Sequence, residues 1–149
     1  MNGTVVIGAI GLVTTAASPI FASRLVARDQ KSAWQRDARA AVYTEAMAYA
    51  QTLESGLDAA INPELGGWPR AEVKHADLIT PRMRLVATKS VFDAWQSLTQ
   101  AWALFRWNVQ DEFPGLGNEH SEPLPADYPD LVSLRRALEN FYTVTGRAL

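Results

Sequence analysis

The sequence predicts an all-α protein in which an N-terminal transmembrane helix continues into a small antiparallel bundle of about four helices. Three observations carry this prediction. Apolar residues recur at the three- and four-residue spacing of a buried helix face along separate stretches of the chain. No run alternates β-branched and polar residues as a half-buried strand would. From Gly3 to Ser23 there is no charged residue at all. No segment repeats another.

The opening stretch, GTVVIGAIGLVTTAASPIFASR, is charged only at its last residue. A membrane-spanning helix needs roughly 20 apolar residues to cross a hydrocarbon core about 30 Å thick, and residues 1–26 meet that length as an anchor. Val5, Val6, Ile7, Ile10, Leu12, Val13, Ile20 and Phe21 together favour insertion by roughly 2 to 5 kcal/mol, part of which the glycines, hydroxyls and Pro19 cancel. A cleaved secretory signal is the first rival, because AAS and FAS resemble cleavage sites. Such a signal opens on positive charge, however, and this chain opens Met-Asn-Gly-Thr. A soluble protein with a buried first helix is the second rival. The cations Arg24, Arg28 and Lys31 follow the apolar run, and cationic flanks stay on the cytoplasmic side. The expectation is a signal anchor in the inner (plasma) membrane, N-terminus outside and residues 27–149 in the cytoplasm. Thr4, Gly8, Gly11, Thr15 and Ser18 form a stripe of small residues suited to close helix approach in lipid, and Pro19 would kink the helix near its inner end.

The body opens with a helix over about 27–61, proline-free and rich in Ala, Arg, Gln, Glu and Met. Val42, Ala46, Tyr49, Leu53, Gly56 and Ala60 form its core stripe, widened by Tyr43, Met47, Ala50 and Leu57. Asn62-Pro63 and Gly66-Gly67 end it. A short helix over about 69–86 follows, begun by Pro69 and carried by Val73, Ala76, Leu78 and Ile79, with Thr80-Pro81 either interrupting it or starting a new turn. Thr88 or Ser90 caps a helix over about 89–113 whose stripe is Val91, Ala94, Trp95, Leu98, Ala101, Trp102, Phe105 and Val109. Residues 114–129, rich in Pro, Gly and acids, read as a loop. A last helix over about 130–146 buries Leu131, Leu134, Leu138, Phe141 and Tyr142 and ends at Gly146.

Composition bounds the chemistry. The chain has 149 residues, no cysteine and a net charge of -2, so disulfides, thiolate metal sites and cysteine nucleophiles are excluded. Through residue 40 there are five cations (Arg24, Arg28, Lys31, Arg36, Arg39) against two acids (Asp29, Asp37), which leaves nine cations and fourteen acids beyond. An acidic body is a poor match to phosphate backbones, so nucleic acid is not an expected partner. The basic run Ala27–Arg39, with Trp34 inside it, suits anionic headgroups or a solvated stalk. Arg36, Asp37 and Arg39 beside Tyr43 fit an interhelical polar patch.

Candidate sites follow from residue type. Trp95 and Trp102 lie on one stripe and line either the core or a small-molecule pocket between helices. Trp107, off that stripe, and Trp68, in a loop, suit a partner surface. Glu119, His120 and Glu122 have the ligand types of a cation site but sit in an acidic loop, and His75 beside Glu72 and Asp77 is a lone helical histidine. No GxGxxG, Walker loop, GxSxG elbow or HExxH occurs. No catalytic, cofactor-binding or metal residue is expected.

The stretches WQRDARAAVYTEAMAYA and RMRLVATKSVFDAWQSLTQA resemble those of small uncharacterised actinobacterial membrane-anchored helical proteins, which pair an N-terminal helix with a Trp/Arg-Asp-x-Arg-x-x-x-Tyr motif and an Ala-rich helical body. The resemblance covers residues 1–110 and implies architecture and source, without an activity. The sequence thus points to a non-enzymatic membrane protein whose partners are the lipid bilayer and either another protein or its own copies. A tethered regulatory or ligand-binding module is the alternative.

Overall fold

A computed structural model of the chain describes residues 7–62, 73–113 and 123–149, with side chains from Asp29 and Ala76 onward in the first two stretches and throughout the third. All regular structure in these residues is α-helical: α1 is Ile7–Ile61, α2 Val73–Val86, α3 Lys89–Glu112 and α4 Pro129–Gly146. The chain divides into two compact units, Met1–Ala38 and Arg39–Leu149.

In the first unit the described side chains belong to Asp29–Ala38, and Lys31, Trp34, Arg36 and Asp37 all face solvent. Ser32 Oγ donates to the Asp29 carbonyl at 2.8 Å. Among the described residues no helix is long and apolar enough to cross a membrane. The small-residue stripe Thr4, Gly8, Gly11 and Thr15, and the cations Arg24 and Arg28, lie outside the residues whose side chains are described.

The second unit is a four-helix bundle whose directions can be read from its cross-helix contacts. Moving up α1, Arg39 and Glu45 meet Val86 and Arg82 of α2, so those two helices are antiparallel. Tyr43 and Tyr49 meet Thr88 and Trp95, so α3 runs with α1. Glu54 and Asp58 meet Tyr142 and Arg135, which sends α4 back, antiparallel to α3. Asn108 Nδ2 donates to Asp130 Oδ2 at 2.6 Å at the α3–α4 end. Short connections between antiparallel neighbours are the usual economy of such bundles, and Ala87-Thr88 alone joins α2 to α3.

The core gathers Tyr43, Leu53 and Leu57 from α1, Ile79 and Met83 from α2, Trp95, Leu98 and Phe105 from α3, and Leu131, Leu134 and Phe141 from α4. Each large apolar side chain removed from water contributes about 1.5–3 kcal/mol. Leu124, between α3 and α4, also joins this core, and its amide donates to the Ala60 carbonyl at 3.1 Å. That bond occupies one of the last carbonyls of α1, which have no partner inside the helix.

Local chemistry explains the helix ends. α2 runs through Pro81 without interruption, although proline cannot donate to the Asp77 carbonyl one turn back. Arg39 Nε reaches the carbonyl of Val86, the last residue of α2, at 2.6 Å. Thr88 is the N-cap of α3 in an extended conformation, but its side chain makes no capping bond; its amide donates to Tyr43 Oη at 3.1 Å instead. α4 starts on Pro129, where the missing N–H costs nothing, and Asp130 in its first turn complements the positive end of the helix.

Candidate functional site

Trp95 sits at the centre of the core with no exposed surface. Its indole Nε1 donates to Thr80 Oγ1 at 2.9 Å, and that hydroxyl donates in turn to the Ala76 carbonyl at 2.7 Å. A buried tryptophan needs a partner for its N–H, and here the hydroxyl comes from the residue before the proline of α2. The ring meets Tyr49 edge-on and Phe141 at a tilt, both with centroids 5.6 Å away. Trp102, two turns further along, is also buried. It stacks on Phe105 at 5.9 Å, and the Arg106 guanidinium lies 5.9 Å from its ring centroid. Both tryptophans of the expected pocket therefore belong to the packed interior.

Tyr49 adds a feature that packing does not account for, as does Thr145, whose buried hydroxyl also has no hydrogen-bond partner among the described residues. The Tyr49 hydroxyl is buried and has no hydrogen-bond partner among the described residues. Burial pushes the phenol up to about 12, with Arg106 pulling the other way and Asp77 adding to the rise. At neutral pH it is an uncharged phenol, able to donate or accept a hydrogen bond but not to act as a base. Tyr142 is raised first by burial and then by its hydrogen bond to Glu54, Oη to Oε2 at 3.0 Å. Tyr128 is raised by desolvation and by Glu112 and Asp130 beside it.

On the outside of α3, Trp107 is 78% exposed, and Leu104, one turn earlier, is exposed as well. Asp111 and Glu112 follow on the same helix and face solvent. This is an apolar step with an acidic rim on the solvent side of the helix. Trp68 lies outside the described residues, as do Glu119, His120 and Glu122 and the side chain of His75. Among the described residues, no cluster of three or more His, Asp or Glu is placed to hold a metal ion.

The residues expected in a polar patch around Arg36, Asp37, Arg39 and Tyr43 belong to both units. Arg39 and Tyr43 both bind backbone of the α2–α3 corner, at Val86 and Thr88, whereas Arg36 and Asp37 are exposed residues of the first unit. Thr80 and Tyr49 carried no sequence signal for these roles, because each depends on the register of two helices against a third.

Compared with protein-family models, with curated proteins and with solved structures, the chain matches none.

Proposed function

We propose that this chain is a single-pass membrane-anchored interaction protein, its N-terminus outside and its helical body in the cytoplasm, where the body binds a protein partner or a second copy. The observation that carries the reading is the order of charge along the chain. An uncharged run from Gly3 to Ser23 is followed at once by Arg24, Arg28 and Lys31, and α1 continues without a break from Ile7 to Ile61 into the body. Cations on that flank favour retention on the cytoplasmic side. The resemblance of the Trp34–Ala50 stretch to actinobacterial membrane-anchored helical proteins supports the same architecture.

Trp107 supports the interaction role. Tryptophan is among the side chains enriched at the energetic centre of interfaces, and an exposed indole one turn from exposed Leu104 is available for one. The test is size measurement of the purified full-length protein in detergent, alongside Trp107→Ala, combined with crosslinking in intact cells. A crosslinked species that Trp107→Ala weakens about 30-fold or more supports this surface, since a hot-spot truncation costs about 2 kcal/mol or more. A strictly monomeric protein with an unchanged crosslinking pattern contradicts it.

A second reading, a tethered module that binds a small ligand between helices, is favoured by the Tyr49 hydroxyl, buried beside Trp95 without a partner among the described residues. A ligand there would quench or shift tryptophan emission, and Tyr49→Phe would abolish that response.

A further inference from the structure

We propose that α2 is a strap that opens from the bundle about the Ala87-Thr88 turn while α1, α3 and α4 stay packed, baring one flank of Trp95. The inference concerns the second unit, Arg39–Leu149, and does not depend on the membrane reading. α2 has a small apolar stake in the closed state. Among its described side chains Ala76, Ile79 and Met83 are buried, whereas α3 buries both Trp95 and Trp102 together with Leu98 and Phe105. On the other side of α2, Leu78 and Leu85 are 66% and 83% exposed and gain nothing from closure.

The backbone of α2 is weakened at its centre. Pro81 lies inside the helix, so the Asp77 carbonyl receives no amide from the next turn. A helix of 14 residues interrupted in this way does not keep its form in water without packing, so leaving the core and unwinding are one event. The polar attachments of α2 to α1 and α3 are point contacts. Thr80 Oγ1 accepts from Trp95 Nε1 at 2.9 Å, and the Val86 carbonyl accepts from Arg39 Nε at 2.6 Å. Arg82 pairs with Glu45, both side chains being exposed, and Arg84 lies 5.7 Å from the Phe92 ring centroid. Water can replace each of these partners, and exposed ion pairs add little.

α1, α3 and α4 hold together by contacts in which α2 takes no part. Phe141 of α4 and Tyr49 of α1 both meet Trp95, with centroids 5.6 Å away. Asn108 binds Asp130 at 2.6 Å, and Tyr142 binds Glu54 at 3.0 Å. The hinge is pinned on its α3 side. The Thr88 amide donates to Tyr43 Oη at 3.1 Å and the Thr88 carbonyl accepts the Phe92 amide at 3.0 Å, so the start of α3 stays on α1 when α2 leaves. An element with few buried apolar contacts, tied by bonds at its surface, is where sub-global opening begins. In the open state the Trp95 N–H exchanges Thr80 for water, and the aromatic core gains an accessible flank between α1 and α3.

Because the chain has no cysteine, buried thiols report opening directly. Met83→Cys in α2 and Leu134→Cys in α4, both at buried positions, are placed singly in the full-length chain. Their reaction with a thiol reagent is followed in urea below the unfolding transition, relative to the rate of each thiol in the unfolded chain. Labelling at position 83 is expected to run about tenfold or more faster than at 134 and to depend less steeply on urea, since opening α2 exposes less surface than global unfolding. Tyr142→Phe removes a bond that the open state keeps, so it should speed labelling at 134 severalfold and leave 83 unchanged. Hydrogen exchange of the unsubstituted chain reads the same event without a core substitution: the amides of residues 76–86 should exchange as a group ahead of those of α3, together with the Trp95 indole N–H. Equal rates and urea slopes at 83 and 134, acceleration of both by Tyr142→Phe, or α2 amides that exchange only with those of α3 would overturn the strap.

Discussion

Around Trp95 three helices depend on a single side chain. Its ring contacts Tyr49 of α1 and Phe141 of α4, and its N–H ends on Thr80 of α2. Trp95→Ala removes all three at once and should cost about 3–5 kcal/mol. At roughly 2–4 °C per kcal/mol for a chain of this size, the melting temperature should fall by about 6–20 °C, measurable by circular dichroism. Thr80→Val keeps the volume but leaves the indole N–H buried without its acceptor, a cost of about 1–3 kcal/mol. Tyr49→Phe should be neutral or mildly stabilising, since it deletes a buried hydroxyl that has no partner among the described residues. The same residue contributes to alkaline behaviour, as do Tyr142 and Tyr128, whose phenols are raised too. The Tyr49 phenol ionises near 10 when unfolded and near 12 when folded, so the unfolded chain gives up its proton first. The contribution of Tyr49 is therefore complete below pH 10 and is lost as pH climbs from 10 through 12. Thermal melts of wild type and Tyr49→Phe across that window should diverge, with the variant losing less stability.

At the scale of elements, the helices differ in how far their residues announced them. The α3 stripe is buried as its spacing requires, at Val91, Ala94, Trp95, Leu98, Trp102, Phe105 and Val109, because a long helix packed on three sides keeps one continuous face inside. Ala101, at the edge of that stripe, is only half-buried. α2 was less legible. Leu78, one of the residues whose spacing suggests this helix, faces solvent, while Met83, which carried no signal, is fully buried. A short helix with a proline in its middle offers too few turns to define a face, and only its neighbours decide which side turns in. Leu124 had no periodic context in a polar loop, yet it is buried, and Thr145, a polar residue completing the Leu134, Leu138, Phe141 stripe, is buried with it. The site was legible only in residue type. Aromatic residues could be sorted into core and surface along α3, but the Trp95–Thr80 and Arg39–Val86 bonds arise from helix register, which no local pattern encodes. Pro81 offers a test of α2. Pro81→Ala restores a donor to the Asp77 carbonyl and should stabilise the protein by about 1–3 kcal/mol, seen as a rise in the urea midpoint with an unchanged slope.

For the whole molecule the governing asymmetry is that of charge. The first 40 residues carry five cations and two acids, and the rest nine cations and fourteen acids. If the basic flank sets the side on which the body is retained, reversing Arg24, Arg28 and Lys31 to Glu should redirect or block insertion while leaving the bundle folded. Far-UV circular dichroism and the melting temperature would separate that effect from misfolding. The second unit has an internal core of its own, and all three substituted positions precede it. The most direct measurement is fractionation of the full-length protein with a C-terminal tag, with carbonate washing of the membranes and protease added to intact and then to lysed cells. An anchored protein with a cytoplasmic body gives a tag that pellets with membranes, resists carbonate and is cleaved only after lysis. A tag that stays in the supernatant, or one cleaved on intact cells, would contradict that anchored topology.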